Sequence, residues 1–176
     1  YETTTGIRNV FVGQNAGKDN TTASNSIAIG YNALSDNVTS TNNVAVGYDS
    51  LKLCTAGQNT AMGYSAGSSI VEGTQNVIIG SGALDAAVED SRNIAIGVAA
   101  LGSQNAGGTD DTATNTNNIG IGYAAGTSIT TGTNNTIVGT TSADALTIGE
   151  QVVTLGNGAL GNGVEVSNSV AIGYNA

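Results

Sequence analysis

Histidine, the usual general base and the commonest metal ligand, is absent from the 176 residues, and a single cysteine, Cys54, is present. A catalytic triad of the usual kind is therefore excluded. The 13 acidic residues are the remaining candidates for acid and base work. They are scattered, as with Asp36, Asp49, Glu72 and Asp85, and no two stand at matched offsets that would put an acid and a base on either side of one bond. Solvated loop charges account for them. GIGYAAG (120–126) has the glycines of a dinucleotide loop but no helical pattern after it. GGTDD (107–111) suggests calcium but lacks the iterated glycine and aspartate spacing of calcium-binding β-rolls. The chain is expected to hold no catalytic site, metal or cofactor and not to be an enzyme. Cys54 is expected to be a small buried hydrophobe.

Tyrosine is the residue type that could recognise something. Tyr31, Tyr48 and Tyr64 recur at nearly even spacing, with Tyr123 and Tyr174 farther on. Such a stripe could stack on a glycan or a cell-surface receptor, although ring packing along a rod or between chains is the simpler account. Asn-x-Thr sequons begin at Asn20, Asn37 and Asn134, as chance would give in a chain this rich in both residues. Thr is abundant but does not recur at one offset, which argues against a flat ice-binding array. A net charge of −9 disfavours nucleic acid and anionic membranes as partners. Apolar runs are short, as at Val77 to Ile79, so no segment spans a bilayer. The start at Tyr1, without a signal-peptide pattern, is expected of a processed product or part of a longer protein.

The elements that would position these residues come from an internal repeat. NVFVG (9–13), SIAIG (26–30), NVAVG (43–47), NTAMG (59–63), NVIIG (76–80), NIAIG (93–97), NIGIG (118–122), NTIVG (135–139), VVTLG (152–156) and SVAIG (169–173) end on Gly13, Gly30, Gly47, Gly63, Gly80, Gly97, Gly122, Gly139, Gly156 and Gly173. Seven of the nine spacings are 17 residues, one is 16 and one is 25. The long one marks a protruding loop within residues 102–116, and 1–176 is otherwise one repeat array. Each copy alternates with period two, the signature of a strand ended by a glycine corner. The Val/Ile face is expected inside each coil, with the Ala face toward solvent or against another backbone. A β-branched residue eight past the glycine (Thr21, Val38, Val71, Val88, Thr130, Thr147, Val164) suggests a second short strand.

A unit this short cannot bury enough to fold alone, so the units must stack. The expected fold is all-β: a parallel β-solenoid of ten coils, each rising about 4.8 Å, in a rod on the order of 45–50 Å long. Its thin core suggests that several chains pack side by side. Asn9, Asn43, Asn59, Asn76, Asn93, Asn118 and Asn135 all stand four before the corner, where stacked amides could hydrogen-bond up the rod; turn residues suited to positive φ would give the same pattern.

NSIAIG (25–30) and NSVAIG (168–173) resemble the head repeats of trimeric autotransporter adhesins of the YadA-like type. NTAMGYSAG (59–67) and NVAVGYDSL (43–51) are still more similar to shaft repeats of phage tail fibres that carry a C-terminal intramolecular chaperone. The resemblance covers essentially the whole chain. It implies a left-handed β-roll, a homotrimer and an extracellular fibre segment, either the shaft or receptor-facing part of a virion tail fibre that mediates host attachment, or a bacterial surface adhesin head or self-assembled filament. The 17-residue period is longer than is usual for the adhesin heads.

Overall fold

The computed structural model describes residues 5–106 and 114–176, and no helix occurs among them. The strands are β1 (Val10–Val12), β2 (Ile27–Ile29), β3 (Val44–Val46), β4 (Thr60–Met62), β5 (Val77–Ile79), β6 (Asp90–Ser91), β7 (Ile94–Ile96), β8 (Thr114–Asn115), β9 (Ile119–Ile121), β10 (Thr136–Val138), β11 (Val153–Leu155) and β12 (Val170–Ile172). Ten of them form one parallel sheet in chain order, while β6 and β8 pair separately. Equivalent residues lie side by side at every step, as in Val10 against Ile27 and Ile27 against Val44. The chain is thus a β-solenoid of about nine turns, one for each step between ten strands.

Each coil is held mainly by its neighbours. The Val10 N–H donates to the Ser26 carbonyl at 2.9 Å, and the Gly30 N–H returns to Val12 at 2.8 Å. Small residues flanked by branched ones keep the strand extended, and the corner glycine ends it at φ between +125° and +140°. Three further positions turn left-handed in each complete coil: five before the corner (Asn25, Asn42, Gln58), two after it (Asn32, Asp49, Ser65) and four after it (Leu34, Leu51, Gly67). Leucine in that region costs about 1–2 kcal/mol. Leu34, Leu51, Leu84 and Leu101 accept this cost while wholly buried in the core.

The sheet is turned the other way round from the expectation. The middle residue of the strand points inward, with Ala28, Ala45, Ala61, Ile78, Ala95 and Ile137 wholly buried. The large flanking residues point outward: Ile27, Ile29, Val77 and Ile79 are 36–39% exposed, and Val12 and Met62 about half. The reason is volume. The coil interior is already filled from its turns by leucines four past the corner and by Ile70, Ile129 and Leu146 seven past it, so the strand can contribute mostly small side chains.

Where the strand does contribute isoleucine, a turn yields space. Gly67 takes the leucine position in the coil that holds Ile70 and lies beneath Ile78, and a Cβ on it would come within 2.7 Å of Ile78 Cδ1 and 3.1 Å of Ile70 Cδ1. Gly126 repeats this with Ile137 at 2.9 Å and Ile129 at 3.1 Å. Gly17 makes room for the Phe11 ring in the same way, at 2.7 Å.

No second strand forms at the suggested positions; the short β6–β8 pair begins two residues past Val88. Residues eight past the corner are bends, although their N–H groups still bond upward, Thr21 to Val38 at 3.0 Å and Thr130 to Thr147 at 2.9 Å. LTIG (146–149), off the repeat register, is not a strand, and its Leu146 is a wholly buried core residue.

Candidate functional site

The corner glycines stack in one column. A Cβ on Gly13 would lie 2.6 Å from the Gly30 carbonyl oxygen, and Gly63 stands in the same relation to Gly80. Gly30, Gly47, Gly80, Gly97, Gly122, Gly139 and Gly156 each face the next corner as closely. At Gly173 the nearest such contact is Ala176 Cβ, at 3.6 Å. Two demands therefore coincide at this position, a conformation that side chains avoid and a carbonyl pressed against the missing side chain.

The asparagines four before the corner form an inward column, wholly or almost wholly buried from Asn43 to Asn135 and half-buried at Asn9. Their rungs run mainly from amide to backbone. Asn76 Oδ1 accepts the Asn93 N–H at 2.9 Å, while Asn76 Nδ2 donates to the Asp90 carbonyl at 2.9 Å and to Asn59 Oδ1 at 3.1 Å. Asn9, Asn59, Asn118 and Asn135 bridge to the next coil in the same manner. A carboxamide suits the position because it satisfies a buried donor and a buried acceptor at once.

On the surface, amides one position earlier meet side chain to side chain: Gln75 Nε2 donates to Gln58 Oε1 at 3.2 Å, and Arg92 Nε to Gln75 Oε1 at 3.1 Å. A third run follows the tyrosine position, with Asn15 donating to Asn32 at 3.0 Å and Asn32 to the Asp49 carboxylate at 2.9 Å.

The structure brings Tyr31, Tyr48 and Tyr64 together as a stack. Ring centroids are 5.1 and 5.3 Å apart, with planes within 16° and 10° of parallel. The inner faces are therefore occupied by neighbouring rings. The Asp49 carboxylate pushes the Tyr48 hydroxyl above its ordinary pKa, helped by desolvation and by the flanking rings. Tyr123 and Tyr174 stand apart from this stack and are 60% and 78% exposed.

Among the described residues no group of three or more Cys, Asp or Glu is placed to hold a metal ion, and GGTDD (107–111) lies outside them. Cys54 is wholly buried, and burial raises its thiol to about 11 against partial relief from the Ala56 carbonyl and Asn59. The sequons at Asn20 and Asn37 are buried in the fold, whereas Asn134 is exposed.

Two features were missed in the sequence. One is the outward aliphatic face. The other is a buried polar cluster where the 25-residue coil leaves and rejoins the rod: Asn118 Nδ2 donates to Gln104 Oε1 at 2.7 Å, Thr116 Oγ1 to Asn93 Oδ1 at 2.9 Å, and the Ala106 N–H to Asp90 Oδ1 at 3.0 Å. The paired glycine and isoleucine spacing of Gly67, Ile70, Ile78 and Gly126, Ile129, Ile137 was the signal that the turns, not the strand flanks, fill the core. Comparison with protein-family models, curated proteins and solved structures finds no match.

Proposed function

We propose that this chain is a segment of a homotrimeric extracellular fibre that mediates attachment, the shaft or receptor-facing part of a phage tail fibre. The observation that carries the proposal is the outer face of the sheet. It presents two columns over ten strands, from Val10 and Val12 to Val170 and Ile172, aliphatic except at Thr60 and Thr136. Nine steps of about 4.8 Å make it about 43 Å long, and two side-chain columns give an apolar strip on the order of 500 Å². A contiguous apolar strip of that size is often an interaction site. Further copies of the same chain fit it best, because the strip has the same repeat as itself and carries almost no charge. The coils then supply length and stiffness, and side chains on the other faces are available for a receptor.

Sedimentation of the purified chain tests this directly. A species of three times the chain mass is expected, with dissociation when Ile27, Ile79 and Ile96 are changed to Ser. A single-chain species that buries no aliphatic face would remove the proposal. An adhesin head on a bacterial surface would share the trimer and the seam; binding to phage-susceptible cells, blocking infection, is expected of the tail fibre alone.

A further inference from the structure

The tyrosine column stops abruptly. Above Tyr31, Tyr48 and Tyr64 the next coil places Ser81 in the same position, followed by Gly82, and the coil above that places Val98. Tyr64 stacks on Tyr48 alone and is 60% exposed, the same as the unstacked Tyr123. One rung is missing between Tyr64 and Val98. Two coil rises separate their levels, about 9.6 Å, and a ring already in this column takes up 5.1 to 5.3 Å. The vacant space therefore has the thickness of one further ring.

The walls of the gap are not purely apolar. Ser81 is exposed at its back. Beside Ser81, a side chain at Gly82 would meet only Asp85, 3.5 Å from Oδ2, so the carboxylate lies next to Gly82. Val98, 47% exposed, forms the far side. An aromatic face on one side and a carboxylate with a hydroxyl at the edge is the combination that holds a sugar: ring C–H groups rest on the π face while hydroxyls donate to the carboxylate. The net charge of −9 opposes an acidic sugar.

We propose that the slot bounded by Tyr64, Ser81, Gly82, Asp85 and Val98 binds one uncharged pyranose ring, stacked on the free face of Tyr64. This deepens the attachment function proposed above and rests on it for its biological role: the rod would carry a glycan-contact point where its aromatic ladder ends. The inner tyrosine faces take no part, because they cover one another.

Saturation-transfer NMR on the full chain, with uncharged methyl hexosides and methyl N-acetylhexosaminides as probes, tests the slot. At least one is expected to bind, with transfer concentrated on one face of the ring. Ser81→Tyr extends the ladder into the gap and Gly82→Asn fills its back in a conformation Asn32 already adopts; each is expected to weaken binding at least tenfold. Asp85→Asn is expected to weaken it severalfold, and a sialoside to bind at least tenfold less well. Absence of binding by every uncharged probe, or unchanged binding in both filled variants, would overturn the proposal. So would p-cresol binding as well as any sugar and indifferent to Asp85→Asn, which would assign the slot to an aromatic group. Sedimentation of the same samples separates the two proposals: a trimer that binds no sugar removes the slot alone, and a single chain that binds sugar removes the fibre alone.

Discussion

The interior of the coil and the outer face of the sheet are built from the same aliphatic residues under opposite rules. Inside, size is rationed position by position: Leu51 lies with Cys54 and Ala61, whereas Gly67 lies with Ile70 and Ile78, and all six are buried. Outside, Val, Ile, Leu, Met and Thr replace one another without any compensating change, from Val44 and Val46 to Thr60 and Met62 to Val153 and Leu155. A closed, shared space imposes a volume constraint, and an open face does not. Strand alternation identifies two faces but does not say which is inside; the pattern of compensation does.

The comparison is broken most severely by overfilling the interior. Gly67→Leu should destabilise the chain by about 3–5 kcal/mol, through overpacking and a left-handed leucine. Adding Ile70→Cys and Ile78→Ala reproduces the set Leu51, Cys54 and Ala61 and should restore most of the loss. Urea titration of the single and triple variants checks this, and a triple variant no better than the single one would mean that these columns do not share a space. Next in size is truncation. Leu84→Ala should cost about 3 kcal/mol, within the range for a buried leucine. Ile79→Ala, on the outer face, should cost the isolated chain less than about 1 kcal/mol, so equal losses at the two sites would erase the distinction.

The repeat period, strand positions and corner glycines were legible because each is imposed by backbone geometry, which leaves its mark on residue type. Gly47 has φ of +138° and a neighbouring carbonyl where Cβ would be, and no other residue type suits that position. The inside of the coil was harder to read because the turns that fill it have no simple period. Ile70 and Ile129 lie seven past a corner, where the equivalent residues elsewhere include Asn37, Cys54, Ala87, Gln104 and Leu146. Hydropathy at that position is therefore mixed, and only its partners explain it. The tyrosine column was visible as spacing. That its inner faces cover one another, leaving the far face of Tyr64 toward Ser81, required knowing that the rings lie across the rod axis.

Polar groups inside the rod obey the interior rule more strictly than aliphatic ones. Asn76→Ala removes the acceptor of the Asn93 N–H and a donor to the Asp90 carbonyl, leaving two backbone groups to be satisfied in a buried place. A loss of about 2 kcal/mol is expected. The exposed counterpart Gln75→Ala, whose partners Gln58 and Arg92 can turn to water, should cost less than about 0.5 kcal/mol. Thermal and urea unfolding of the two variants give the comparison, and similar values would show that the inner column acts as a mere surface of the turn.

Cys54 supplies a reporter that reads the interior alone. Its thiol is wholly buried, accepts a contact from Asn59 Nδ2 at 3.5 Å and donates to the Ala56 carbonyl at 3.2 Å. Its pKa rises from an ordinary 9.0 to about 11, chiefly through burial. The folded state therefore holds the proton more tightly than the unfolded one. Stability from this group is complete below pH 9 and is lost as pH rises toward 11, with a loss on the order of 1 kcal/mol by pH 10. Cys54→Ala should abolish that loss, since Ala87 fills the equivalent position in another coil. Tyrosines titrate in both proteins, so the difference between the two stability curves isolates the thiol. Parallel curves between pH 8 and 10 would mean that water reaches the sulfur, and that the interior is more open than its packing implies.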